Sequence, residues 1–274
     1  MTPEESEKLL KIFARHLVVC SCPHRLKTGS DGKEHPWKLA VFSGIVMTFG
    51  DEWYCATAGH CLNDFRALYD RDDIEMDTMT LADHFSQDTD EPAHIFNLTE
   101  RQAVLMDDES EGLDFGFVRL TDFEVKGMIK SGIIPLTEDK WMPQDKVVFD
   151  RYFLLGSPAE LCDVIDERCS RTLAIAPTLL GVTLLNEQPQ VHSNVPWLSF
   201  QISDKIPIKS IKGMSGGPVF GIRYEGTGWR YWIAALQIFW NEDRRIAYAC
   251  RLPEFGRLFQ AYLAMEREHT GGSS

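Results

Sequence analysis

From about Leu17 to Phe259 this chain is a succession of short apolar runs, each bounded by Gly, Pro, Asp or Asn, and that texture restricts its fold more than any other feature. The runs at 39–49, 53–57, 115–120, 147–155, 197–202, 219–224 and 229–240 are dominated by Val, Ile, Phe, Trp and Tyr. β-Branched and aromatic side chains suit a pleated, half-buried surface, and several of these runs are too short to be helices. Glu225-Gly226-Thr227-Gly228, between the last two runs, predicts a hairpin connection. Many short strands leave a barrel or a sandwich as the architecture, so the fold class is all-β.

Helices are expected at both ends. Thr2-Pro3-Glu4-Glu5 carries an N-cap, a proline at the first helical position and a glutamate placed to complete a capping box. Leu9, Ile12, Phe13 and Leu17 then recur at helical spacing. Pro253 opens a second amphipathic segment with Phe255, Leu258, Phe259, Tyr262 and Leu263 on one face. Two stretches interrupt the strand pattern. Residues 63–98 are acidic, and residues 121–146 are polar and read as a connector. The chain therefore divides into an N-terminal helix (1–17), a first β unit (18–125) with an acidic insertion (63–98) and a connector (126–146). A second β unit (147–252), a closing helix (253–268) and a flexible tail (269–274) follow.

Charge and cysteine content exclude several classes of function. The net charge is −13, from 41 acidic and 28 basic side chains, and no basic stripe is present to bind a phosphate backbone, so nucleic acid is not expected as a partner. No apolar run approaches the ~20 residues that span a bilayer, and the start lacks the pattern of a secretory signal. No membrane partner and a cytoplasmic location are expected. The odd count of seven cysteines suits a reducing compartment better than a disulfide framework. Cys20-Ser21-Cys22 lacks the spacing and partner pair of a zinc site. The acids at 70–77 lack the glycine and regular spacing of a calcium loop, so a solvated insertion is expected there. No metal and no cofactor are called for.

Three segments carry chemistry. Gly213-Met214-Ser215-Gly216-Gly217-Pro218 sets a serine among glycines. Acyl transfer to a serine needs its oxygen exposed on a tight turn with backbone N–H groups aimed at the developing oxyanion, and flanking glycines permit such a backbone. The plain alternative is a Gly-rich turn between strands. Ala56-Thr57-Ala58-Gly59-His60-Cys61 lets an imidazole emerge at the end of a strand, whereas His16, His24, His35, His84, His94, His192 and His269 lack such a setting. Asp114 leads straight into the alternating strand Phe115-Gly116-Phe117-Val118, as a base-orienting carboxylate requires. Asp107, Asp108 and Asp122 are rivals, and none directly precedes such a strand.

Taken in order, these blocks resemble the histidine, aspartate and serine blocks of the chymotrypsin-like (trypsin-fold) serine peptidases, with similar intervals between them. The resemblance implies two six-stranded antiparallel barrels with the site between them and a closing C-terminal helix. It implies Ser215 as nucleophile, His60 as general base and then acid, and Asp114 as the group that fixes the imidazole. The N–H groups of Gly213 and Ser215 are implied as the oxyanion hole, and a protein or peptide as the substrate. Two departures bring the chain closer to bacterial, intracellular members. Met214 stands where secreted members have the aspartate that pairs with a new N-terminus. Ser43, in Phe42-Ser43-Gly44, stands where they have the cysteine bonded to the counterpart of Cys61. By the same resemblance Lys209 lies at the base of the primary specificity pocket, with Phe239 and Trp240 on its wall. Such a pocket would repel basic side chains and accept small or acidic ones. The alternative for Lys209 is a loop of different length with the ammonium in solvent. The competing functional reading is a catalytically silent trypsin-fold binding module, or one that a regulatory protein partner activates.

Overall fold

The structure is a computed structural model that describes residues 2–28, 34–86, 94–98, 101, 103–108, 111–141, 149–167, 170–186 and 197–271. It opens with helix α1 (Pro3–Phe13), in which Thr2 Oγ1 accepts the Glu5 N–H at 3.2 Å and the Glu5 carboxylate accepts the Thr2 N–H at 2.7 Å. The capping box read from the sequence is therefore made. The helix ends on Phe13, which stacks on Phe220 with centroids 4.2 Å apart, and so it rests on the C-terminal half of the chain.

The N-terminal half is a sheet of eight strands: β1 (Leu17–Leu26), β2 (Lys38–Phe49), β3 (Glu52–Thr57), β4 (Ile74–Met76), β5 (Thr80–Ala82), β6 (His94–Ile95), β7 (Ala103–Asp108) and β8 (Leu113–Arg119). Its order is β6-β5-β1-β2-β3-β8-β7, with β4 also paired to β1. Every pairing is antiparallel.

The C-terminal half holds β9 (Arg151–Gly156), the hairpin of β10 (Asp163–Glu167) and β11 (Ser170–Ala174), then β12 (Thr178–Leu184), β13 (Trp197–Ile202), β14 (Pro218–Glu225), β15 (Gly228–Asn241) and β16 (Ile246–Arg251). Strands β12-β13-β16-β15-β14-β9 close into a six-stranded barrel around Leu154, Phe200, Met214, Val219 and Ala247. Glu225 pairs with Gly228, so the predicted hairpin connection is a two-residue turn, Gly226-Thr227, and Gly226 supplies its positive φ of 60°.

The expectation of two six-stranded barrels needs correction, because among the described residues the first sheet stays open. A helix, α2 (Gly59–Tyr69), lies between its edges and packs on β7 and β8 on one side and β4 on the other. The acidic insertion is also more than a solvated loop, since it contributes most of α2 and the strands β4 to β6. Two of its acids are held by arginines, Asp73 by Arg71 at 2.6 Å and Glu75 by Arg25 at 2.8 Å. The connector likewise carries structure: α3 (Asp122–Lys130), with a Thr121–Glu124 capping box, and α4 (Glu138–Trp141), which buries Trp141 completely.

Helix α5 (Leu252–Gly271) crosses back onto the first sheet. Phe255 stacks on Phe115 and Phe117 at 3.5 and 4.7 Å, and Phe259 stacks on Phe117 at 4.0 Å. Gly256 leaves the space filled by the Trp141 ring, which a Cβ would meet at 2.1 Å. The buried stripe runs through Leu252, Phe255, Gly256 and Phe259, which turns Leu258 outward at 43% exposure, contrary to the face read from the sequence. Among the described residues no helix is long and apolar enough to cross a membrane. The six described cysteines are all unpaired, and Cys169 lies outside the described residues.

Candidate active site

Strand β3 ends at Thr57, Ala58 caps in an extended conformation, and α2 starts at Gly59, so His60 sits in the first turn of a helix. Glycine at 59 is needed because a Cβ there would meet the Phe115 carbonyl oxygen at 2.9 Å. Gly116 accommodates Leu62 in the same way, with a Cβ-to-Cδ1 approach of 2.4 Å. These two glycines let α2 dock on β8, which brings His60 to Asp114. The first N–H groups of a helix lack intrahelical partners, and Asp114 Oδ1 accepts that of His60 at 2.9 Å. Asp114 Oδ2 accepts the ring Nδ1–H at 2.6 Å. The tautomer is thereby assigned, and Nε2 is left as the basic nitrogen. The side chains are 35% and 14% exposed, the pair half-open to solvent on the imidazole side. Burial of the ring works against its charged form, but the Asp114 carboxylate together with the neighbouring Cys61 outweighs it and holds His60 above the ordinary histidine value.

Residues 211–217 form the serine loop. The Met214 N–H donates to the Ile211 carbonyl at 2.9 Å, with Gly213 at φ 92° in the third position, which is type II turn geometry. Met214 is fully buried in the barrel core and anchors the loop with an apolar side chain. The Gly216 N–H donates to the Gln237 carbonyl at 2.7 Å, and the Gln237 N–H returns to the Gly217 carbonyl at 2.9 Å, which ties the loop to β15.

A trans peptide points its C=O and N–H in opposite directions, so anchoring one aims the other. The Lys212 carbonyl accepts from the Ala159 N–H at 2.6 Å, which fixes the peptide whose N–H belongs to Gly213. The Met214 carbonyl accepts from the Gly217 N–H at 2.8 Å, which fixes the peptide whose N–H belongs to Ser215. The N–H groups of Lys212, Met214, Gly216 and Gly217 are all taken. Those of Gly213 and Ser215 donate to no acceptor among the described residues.

The loop is docked against the strand ends that lead to His60. A Cβ on Gly216, which has φ 80°, would overlap Thr57 Oγ1 at 1.9 Å and the Ser43 carbonyl at 2.2 Å. The Ser43 N–H donates to the Ser215 carbonyl at 3.0 Å. No hydrogen bond joins His60 to Ser215 in this structure: Nε2 lies 3.5 Å from Cys61 Sγ, and the half-buried Ser215 hydroxyl has no partner among the described residues. Burial pushes the Cys61 thiol up, so it is uncharged at neutral pH.

Around the inferred specificity pocket, Lys209 is exposed and its side chain has no partner among the described residues. The Glu160 carboxylate accepts the backbone N–H groups of Lys209 and Ser210 at 2.8 and 3.2 Å. Trp240 is half-buried against the barrel core, and Phe239 is 53% exposed with its ring stacked on Tyr248. Glu160, Ala159, Ser157 and Thr57 were not singled out by sequence reasoning. Their contributions are backbone anchors and long-range hydrogen bonds, which leave no local pattern to read.

A thermostable serine protease, AL20, from an extremophilic microorganism superposes with a TM-score of 0.50 over 92% of this chain and 98% of that chain, at 14% identity. This chain has the chymotrypsin-like fold. Rv3671c from M. tuberculosis H37Rv, in an inactive form, is similar over 93% of this chain and 90% of its own, at 9% identity and a TM-score of 0.45. The protease of tobacco vein mottling virus is similar over 85% and 76%, at 12% identity and a TM-score of 0.41. No protein-family model matches the chain. No curated protein matches it in sequence.

Proposed function

We propose that this protein is a serine endopeptidase that hydrolyses peptide bonds through an acyl-enzyme, with Ser215, His60 and Asp114 as its catalytic triad. One observation carries the reading. Among the described residues, the N–H groups from Lys212 to Gly217 that are left without an acceptor are those of Gly213 and Ser215, and their loop docks on Ser43 and on Thr57, at the end of the strand that leads to the His60–Asp114 pair. In this mechanism Ser215 Oγ attacks the scissile carbonyl carbon while His60 Nε2 takes the hydroxyl proton. The two N–H groups stabilise the oxyanion, a contribution of about 10²–10³ in rate for each donor. The C–N bond breaks as Nε2 returns the proton to the amine, and water then releases the acyl group by the same steps. Asp114 keeps Nδ1 protonated throughout and stabilises the imidazolium. The substrate is a protein or peptide, and the unpaired thiols, with no cysteine at Ser43 where the resemblance implies one in secreted members, favour a reducing, cytoplasmic setting.

A second reading is a trypsin-fold module whose chemistry is silent or waits for a regulatory partner. It is favoured by the contact of His60 Nε2 with Cys61 and the unengaged Ser215 hydroxyl. In the first reading a rotation of the imidazole toward Ser215, on substrate binding, completes the site, as apo geometries of such pairs are often loose. Labelling by a fluorophosphonate decides between them. The purified protein should label stoichiometrically at Ser215 and Ser215→Ala should not label. A folded wild-type protein that stays unlabelled refutes the endopeptidase reading.

A further inference from the structure

The hydroxyl of Ser43 is fully buried and joins two segments that hold the serine loop. Ser43 Oγ donates to the Gly213 carbonyl at 3.0 Å and accepts the Ser157 N–H at 2.9 Å. Two residues after Ser157, the Ala159 N–H anchors the Lys212 carbonyl and thereby aims the Gly213 N–H. The backbone of the same residue holds two more groups. The Ser43 N–H donates to the Ser215 carbonyl at 3.0 Å, and the Ser43 carbonyl accepts from Thr57 Oγ1 at 2.7 Å. Ser43 therefore touches both residues whose N–H groups face the candidate oxyanion position, together with the end of the strand that leads to His60. Gly156 makes room for it, since a Cβ there would meet Ser43 Oγ at 2.8 Å.

We propose that the Ser43 hydroxyl is a positioning residue: it fixes the peptide that follows Gly213 directly, and the peptide that carries the Gly213 N–H through the Ser157–Ala159 segment, and so sets the alignment of the oxyanion hole. The proposal rests on the endopeptidase reading. Gly213 is the one residue in the turn whose flanking peptides rotate at little steric cost. Its carbonyl is held from the far side by a single side-chain donor, which comes from the first sheet and not from the loop's own barrel. A side chain that only filled space would not use its donor on one loop and its acceptor on another. The arrangement places control of the oxyanion donor with a residue that never meets the substrate.

The test compares Ser43→Ala and Ser43→Cys with wild type, under reducing conditions. The kcat is expressed per site titrated by fluorophosphonate, so that misfolded molecules do not count. A merely structural role lowers the titratable fraction and the melting temperature and leaves kcat per titrated site unchanged. The positioning role lowers kcat per site by roughly 10–100-fold in Ser43→Ala with KM little changed, part of the ~10²–10³ that an aligned donor supplies. A peptide aldehyde, whose adduct carries the oxyanion, should lose affinity by the same factor as kcat/KM, whereas a non-reactive product peptide should not. Ser43→Cys, which keeps the size and a weak donor, should fall between. If Ser43→Ala does not fold, Ser43→Cys decides. A kcat per titrated site within twofold of wild type, in whichever variant folds, overturns the proposal while leaving the endopeptidase reading intact. A wild-type protein that never labels overturns both.

Discussion

His16 joins three parts of the molecule, and its titration should control stability in mild acid. It follows α1, its Nδ1–H donates to the Ile134 carbonyl in the connector at 2.5 Å, and its Nε2 accepts the Tyr231 O–H from β15 at 2.8 Å. Burial pushes its pKa down from 6.5 to about 4, with a smaller contribution of the same sign from Arg15 and Lys140 and an opposing one from the Ile134 carbonyl. The folded protein keeps the ring neutral where the unfolded chain protonates it. Stability from this group is therefore complete above pH ~6.5 and is lost as pH falls toward 4. At one proton per molecule the slope is about 1.4 kcal/mol per pH unit, which amounts to about 2 kcal/mol at pH 5 and about 3 kcal/mol at the lower limit. Against a typical total of about 5–15 kcal/mol that is a large share. His16→Gln keeps an amide donor and a carbonyl acceptor but does not titrate. Urea unfolding at pH 7 and pH 5 should show the wild type losing about 2 kcal/mol more than the variant over that interval. Parallel losses in the two proteins would refute the argument, whatever their difference at pH 7.

Ser215→Ala, His60→Ala and Asp114→Ala should each lower peptidase activity by ~10³–10⁶ with the fold retained, and the Ser215/His60 double variant should be little worse than either alone; additive losses would show that the two do not act as a unit. Activity should rise with pH, because only neutral His60 accepts the serine proton, and the midpoint should lie above ~6.5 because Asp114 raises the ring. In Asp114→Asn the residual activity should titrate at a lower midpoint, and an unchanged midpoint would remove Asp114 from the account. Peptide-library profiling should show no preference for Arg or Lys beside the scissile bond, and Trp240→Ala should admit larger side chains with a gain of about tenfold in kcat/KM; a preference for basic residues would overturn the assignment of Phe239 and Trp240 to the pocket wall.

The features legible in the sequence were those written in contiguous residues. The capping box of α1 depends on Thr2 and Glu5, the β14–β15 hairpin on Gly226-Thr227, and most strand limits on runs of apolar residues and the breakers between them. The residues that compose the candidate site were legible for the same reason, since each sits in a short block whose glycines and small residues have a local steric purpose. Gly59, Gly213 and Gly216 all prove to be positions where a Cβ would collide with another segment. What the sequence did not reveal depends on which segments meet. Closure of the second sheet but not the first follows from where α2 settles, and the structured connector follows from the slot that Gly256 opens for Trp141. The exposure of Lys209 and Leu258, the neutral burial of His16 and the bonds of Ser43 to Gly213 and Ser157 likewise join residues far apart in the chain. Periodicity reports only the face a residue prefers. The partner of a particular carbonyl or hydroxyl is fixed when strands pair and helices dock, so the aim of the Gly213 N–H becomes visible only in the assembled fold.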